Sequence, residues 1–436
     1  MSARAVALRA LTLLHKGRID RIRGALSADQ LERRERAFAW ELGHGVVRNE
    51  RFLDFVLQQV VHRKLPADPM LLATLRLGVY QLLLMDGMPA HAAINETVRL
   101  MPRNRAFVNA SLRRVAGMVS SRPANPGLPH CELTLSPNRT LVLEPPGLET
   151  QPQPIATRYS LPDFLIERWR ERHGDDPALQ IAEASNSVPS VFLRACNDRS
   201  ATELAAALAD EQVETEPAED PQVLRWRGGS SPFETEPFAK GWFLAQDPTA
   251  LQAARQLHVE AGATVVDLCA APGTKTMLLA EKVGEQGVVY AYDPDEVRRG
   301  RIAENATRLG YEARVRVVDD EGQLPVADAV LADVPCSNTG VLGRRVEARR
   351  RLSRESFQEL SRIQSGILQR AVDLVRPGGQ VVYATCSIEP EENESVVERT
   401  LAGGQVQLPG SATTLPVAGQ HDGGFHAILH KADGPQ

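Results

Sequence analysis

At 436 residues the chain is longer than one ordinary hydrophobic core organises, so two or three domains are expected. Hydrophobic residues at 43% and charged residues at 24% exclude a largely disordered chain, and the absence of a long apolar run or a signal-like start makes the cytoplasm the expected compartment, with no membrane partner. The net charge of −5 is unevenly spread: residues 1–120 hold 19 Lys+Arg against 10 Asp+Glu, a net of +9 that fits either a basic module for a polyanion or a solvated arginine-rich helical face.

From residue 1 to about 118 the apolar residues recur at helical spacing, as in Val6, Leu8, Leu11, Leu13 and Leu14, and β-branched runs are few. An all-helical domain is expected over 1–120. The stretch 121–155, with SSRPANPGLP and EPPGLETQPQP, is rich in Pro, Gly and Ser and reads as a linker with one short strand at 140–143. Residues 156–245 mix helical and strand-like pieces and are expected to form a small α+β region. From 246 to 436 strands such as ATVVDL, GVVYAYD, ARVRVVD, ADAVLAD, QVVYATC and GFHAILH alternate with helices, the mark of a parallel, doubly wound α/β sheet.

The turn between the first strand and helix of this last domain, Asp267-Leu268-Cys269-Ala270-Ala271-Pro272-Gly273-Thr274-Lys275, is where backbone N–H groups approach a nucleotide-like ligand at a strand's carboxyl end. Asp293 closes the next strand, where an acidic side chain accepts ribose hydroxyls. No GxxxxGK[ST] is present, so this is not a P-loop. The five cysteines, at 131, 196, 269, 336 and 386, form no CxxC pair; neither a disulfide framework nor a metal site is expected. Cys386 follows the strand VVYAT and Cys336 follows ADAVLADVP, so both are expected at the sheet's carboxyl edge, facing one pocket.

DLCAAPGTKT, DVPCSNTG and YATCSIEPEEN together resemble the RNA 5-methylcytosine methyltransferases. The resemblance implies the class I, seven-stranded Rossmann-like methyltransferase fold and S-adenosylmethionine as cofactor. It implies that residues Cys269, Ala270, Ala271, Pro272, Gly273, Thr274 and Lys275 cradle that cofactor, with Asp293 at the ribose and Asp319, or its neighbour Asp320, near the adenine. Cys386 matches the nucleophile, Cys336 the cysteine that helps release product, and Asp333 the carboxylate that binds the N3/N4 edge of the base, with Lys275 assisting. The chemistry fits the residue type: C5 of cytosine becomes nucleophilic only after a thiolate adds at C6, and cysteine ionises readily enough to supply one.

The basic run after DVPCSNTG, containing Arg344, Arg345, Arg349, Arg350, Arg351 and Arg354, is expected to contact RNA phosphates. Here RRVEARRRL lacks the Pro, Asp and Trp of the family's usual segment, and Thr274 stands where a second glycine is usual. The N-terminal segments AFAWELGHGVVRNERFLDFVL, LRLGVYQLLLMDGMPAHAAINETV and FVNASLRR resemble the NusB-like RNA-binding domain. The combination is similar to the bacterial small-subunit ribosomal RNA cytosine-C5 methyltransferases, which implies ribosomal RNA as partner and a monomer. The same chemistry on transfer RNA and a non-catalytic RNA-binding assembly factor are the competing readings.

Overall fold

The computed structural model describes residues 2–27, 31–61, 64–229 and 231–433. Two compact units emerge: Met1–Asn186 with Arg345–Arg350, and Ser187–Arg344 with Arg351–Gln436.

The first unit is built on helices Ala3–His15, Arg33–Arg48, Glu50–Val60, Pro69–Leu84, Ala90–Arg99 and Arg105–Gly117. Pro69–Leu84 is its central rod, because MLLATLRLGVYQLLL is apolar around its whole circumference and almost every side chain from Leu71 to Leu83 is buried. It starts sharply, with Asp68 Oδ1 accepting the Leu71 N–H at 2.7 Å and Pro69 in the first turn. The stretch expected to be a linker is folded: β1 (Val119–Ser120) just before it, β2 (Glu132–Ser136) and β3 (Arg139–Val142), the last lying where the one short strand is expected, form an antiparallel sheet in the order β1-β3-β2. Leu133, Leu141 and Leu143 put that sheet into the same core as the helices, so its Pro- and Gly-rich composition marks turns between strands. The helices Pro154–Arg158, Asp163–His173 and Asp175–Asn186 also belong to this unit, tied to it by Ser160 Oγ accepting the Phe52 N–H at 3.0 Å and Leu161 O accepting from Arg51 at 2.8 Å. The α+β region expected over 156–245 is therefore divided at residue 186.

The second unit opens with a four-stranded antiparallel sheet, β5-β6-β4-β7, made of β4 (Phe192–Ala195), β5 (Thr215–Pro217), β6 (Val223–Trp226) and β7 (Phe243–Ala245). Its larger sheet has seven strands, β8 (Thr264–Asp267), β9 (Val288–Ala291), β10 (Val315–Val317), β11 (Ala327–Asp333), β12 (Val375–Thr385), β13 (Val406–Thr414) and β14 (Gly424–Lys431), in the order β10-β9-β8-β11-β12-β14-β13. The first five are parallel, while β14 runs against β12 and β13 against β14. Alternate residues of the strands feed two apolar layers: Val265, Leu331 and Val382 on one face, Val266, Val330, Val381 and Tyr383 on the other. Helices Thr274–Val283 and Glu296–Leu309 cover the first face, and Arg354–Leu374 and Glu394–Leu401 the second. This is the seven-stranded Rossmann-like sheet expected, except that its last two strands run antiparallel; the seventh strand, which the sequence pattern does not reveal, is edge strand β13, whose Pro409 is tolerable on an edge. Among the described residues no helix is long and apolar enough to cross a membrane.

Candidate active site

The strand order reverses between β8 and β11, and open α/β sheets bind ligands in the crevice outside the carboxyl ends of the strands at such a point. Asp267 ends β8, Asp333 ends β11, and Cys386 directly follows β12; register pairs Leu331 with Asp267 and Asp333 with Ala384, so these groups share one edge of the sheet. An open hollow of about 420 Å³ lies there, lined among others by Lys275, Asp333, Cys386, Asp422 and His426.

The two cysteines expected to converge do so. Their sulfurs are 3.1 Å apart; Cys386 lines the hollow, and Cys336 lies outside that lining, in contact with Cys386. Cys386 Sγ also lies 3.4 Å from Asn338 Oδ1, while Asn338 donates to Cys336 O at 2.7 Å. Asn338 adopts φ +67°, a left-handed turn that asparagine tolerates better than most residues and that folds the loop back on its own cysteine. Contact with Cys386, then burial, pushes the Cys336 thiol well above the ordinary cysteine range. Lys275 Nζ meets Asp333 Oδ2 at 2.5 Å; burial opposes the lysine's charge, but the Asp333 carboxylate outweighs it and keeps the proton on Lys275. Gly340 donates to Cys386 O at 3.0 Å, and a Cβ there would meet Gly423 O at 2.5 Å, so only glycine lets the two loops pass this closely.

The cofactor loop is shaped by Gly273, the N-cap of helix Thr274–Val283, at φ +99°. Thr274 is the first helical residue and carries no positive φ, so its Cβ fits where the family usually has glycine. Asp293 is buried, with Oδ1 accepting from Asp295 N at 3.1 Å and Oδ2 from Ala271 N at 3.3 Å, which pins the loop to the end of β9. Oδ1 keeps room for one further donor. Asp319 lies on the surface with its side chain 3.6 Å from Arg299, and Asp320 caps a 3-10 turn by accepting from Gly322 N at 2.8 Å. Burial pushes the Cys269 thiol far up, so it behaves as a small apolar side chain. Asp267 was not singled out in the sequence. It is buried, accepts from Thr276 Oγ1 at 2.8 Å through Oδ2, leaves Oδ1 without a partner, and burial raises its carboxyl to about 7. A buried orphan acceptor beside a tight βα loop suits the amino end of a bound amino-acid cofactor. Its place as first residue of the loop is the sequence signal that marks it.

The arginine segment departs from expectation. Arg344 spends its donors inside the second unit, on Asp247 Oδ2 at 2.9 Å, Ser190 O at 2.7 Å and Asp422, drawing the loop after β11 to the start of β14. Arg349 is 6% exposed and donates to Arg48 O at 2.6 Å and Ser185 O at 2.8 Å, within the helical unit. For both, the expected phosphate contact is corrected, because their guanidiniums are committed to protein oxygens. Arg345 is exposed, and Arg350 pairs with Glu50 at 2.7 Å.

Comparison with known proteins accords with this geometry. Residues 254–420 match the model of the family described as 16S rRNA methyltransferase RsmB/F, and residues 1–117 match the NusB family. The ribosomal RNA small subunit methyltransferase B of Vibrio cholerae is 32% identical over 92% of this chain and 91% of its own, and that of Escherichia coli is 30% identical over 91% of each. Among solved structures, that of PH0851 is 24% identical with a TM-score of 0.77 over 99% of both chains. NSun6 from Pyrococcus horikoshii with SFG is 20% identical with a TM-score of 0.57, over 63% of this chain and 99% of its own; both share the fold. The chain belongs to the RsmB/F family of S-adenosylmethionine-dependent rRNA methyltransferases, with a NusB-family region at its N-terminus.

Proposed function

We propose that this protein transfers a methyl group from S-adenosylmethionine to C5 of a cytosine in small-subunit (16S) ribosomal RNA, through a covalent bond between Cys386 and C6 of the base. The observation that carries this reading is the contact of the Cys336 and Cys386 sulfurs at the switch point, beside the Lys275–Asp333 pair. The cofactor, when bound, supplies an electrophilic methyl group. The loop from Cys269 through Ala270, Ala271, Pro272, Gly273, Thr274 and Lys275 would hold it with Asp293, and exposed Asp319 would take the adenine end.

Cys386 as thiolate adds to C6, opening the C5–C6 double bond so that C5 takes the methyl group. Asp333 accepts from the N3/N4 edge of the base through the oxygen that Lys275 leaves open, stabilising charge as it develops. The C5 proton then passes to a base, the role in which Cys336 at 3.1 Å from the nucleophile assists release; the C5–H electron pair re-forms the double bond, and the pair of the C6–S bond returns to Cys386. A base reaches these thiols only when it is out of its stack, so a loop or a flipped nucleotide is the substrate. The net +9 of residues 1–120 supplies backbone attraction. The protein acts in the cytoplasm as a monomer.

Bisulfite sequencing of 16S ribosomal RNA from cells with and without the protein tests the reading; one cytosine is expected to lose its protection when the protein is absent, and an unchanged pattern refutes the rRNA assignment. Cys336→Ala is expected to accumulate a denaturant-resistant protein–RNA adduct that Cys386→Ala cannot form.

A further inference from the structure

A single carboxylate joins the two cysteine loops. Glu392 is fully buried. Its Oε2 accepts the Ser337 N–H at 2.8 Å and the Gln364 amide at 2.9 Å, and its Oε1 accepts the Ser387 hydroxyl at 2.8 Å. Ser337 and Ser387 are the residues immediately after Cys336 and Cys386, so one side chain grips both loops a single residue away from each sulfur. Secondary ties close the bracket: Ser387 Oγ lies 3.2 Å from Ser337 Oγ and 3.1 Å from Thr339 Oγ1, and Gln364 also donates to Pro335 O at 2.9 Å. The main-chain carbonyl of Glu392 accepts the Tyr383 hydroxyl at 2.5 Å, anchoring the bracket to β12.

A carboxylate is the side chain this place demands. It accepts only, so three donors converge on it without competition, whereas an amide would turn N–H groups toward one of them. β11 and β12 pair with each other only as far as Asp333 and Ala384, and β14 holds β12 one residue further, at Thr385; both cysteines lie beyond these pairings and need another restraint.

We propose that Glu392 is a positioning residue for methyl transfer, holding Ser337 and Ser387 so that the Cys336 and Cys386 sulfurs stay in contact. This rests on the reading above that both thiols serve one base, since C5 and C6 are adjacent atoms and their two sulfur partners must be adjacent as well.

The test needs neither RNA nor cofactor. Diamide, an azodicarboxamide oxidant, takes one hydrogen from each of two neighbouring thiols and becomes the hydrazine as the S–S bond forms, so the rate of Cys336–Cys386 cross-linking reports proximity. In the full chain, Glu392→Gln is expected to slow this cross-link, followed by peptide mass spectrometry, by about tenfold or more, with Cys131 alkylation unchanged. Methylation by the same variant should lose kcat about tenfold while KM for RNA and cofactor stays within about twofold. Ser387→Ala, a small change that removes the Oε1 donor, should slow the cross-link about threefold and covers the case in which the glutamine variant does not fold. Wild-type cross-linking rates in either folded variant overturn the proposal. Slow cross-linking in both, together with a wild-type protein that methylates no cytosine, leaves the bracket standing and removes the functional reading instead.

Discussion

Two buried charged side chains, one in each unit, hold the chain together in opposite ways. At the sheet edge the Glu392 carboxylate collects donors from Ser337, Gln364 and Ser387; in the helical unit the Arg349 guanidinium collects carbonyl oxygens from Arg48 and Ser185. Each satisfies groups far apart in sequence, and each would leave several of them stranded if removed. The consequences differ because the scaffolds differ. The loops at the edge leave neighbouring strands that already fix their spacing, so Glu392 adjusts where two sulfurs lie. The segments around Arg349 share no sheet, and Val346 beside it is part of the unit's apolar core, so Arg349 contributes to the fold itself.

The largest expected effect sets Asp267 against Glu392 at the same edge. Asp267 has an unpartnered oxygen, and burial raises its carboxyl from 3.8 to about 7. A carboxyl raised in the folded state binds its proton more tightly there than when unfolded, so its stabilising contribution is whole below about pH 4 and is lost as the pH rises through 7. The swing is about 4 kcal/mol at most. Urea unfolding from pH 4 to 8 should show stability falling with pH, and Asp267→Asn should flatten that slope; an unaltered slope assigns it elsewhere.

Next is Arg349→Ala, expected to cost about 3 kcal/mol in unfolding free energy by stranding buried carbonyls. The dependence of RNA affinity on salt should be the same as in the wild type. A slope shallower by about one phosphate contact would return Arg349 to the RNA interface. Gly340→Ala probes the edge instead: its Cβ would push Gly423 O and Cys386 O apart, and kcat should fall about 10²-fold, equivalent to about 2.7 kcal/mol, with a smaller loss of stability than Arg349→Ala. Methyl incorporation at saturating substrates measures it. The smallest effect belongs to Arg350→Ala, whose half-exposed pair with Glu50 should change stability by no more than about 0.5 kcal/mol in thermal unfolding. A loss comparable to that of Arg349→Ala would show that the whole 345–350 segment, and not the buried guanidinium, carries the clamp.

Much of the catalytic unit is legible in one dimension because strand–helix alternation repeats a local pattern. The strands expected around ATVVDL, GVVYAYD, ADAVLAD and QVVYATC are β8, β9, β11 and β12, and a cysteine at the end of such a strand has nowhere to go but the sheet edge. Strands with turn-like composition were harder to read. The 121–155 stretch reads as linker with one short strand at 140–143, yet it holds β2 as well as β3, and β13 hides behind Pro409 and Gly410. Glu392 sits in the quoted EPEEN, but nothing local distinguishes a surface glutamate from one that receives Ser337 and Gln364.

The sequence alone determined what depends on neighbours along the chain: the order of strands and helices, the tight loop at Gly273, and the placement of Cys336 and Cys386 at strand ends. Only the tertiary structure decided what depends on partners remote in sequence: which arginines are committed to protein oxygens, which acid brackets the thiols, and where the units divide. An arginine or glutamate is written the same whether water or a distant backbone group satisfies it, and the free energy of that choice resides in contacts made only on folding.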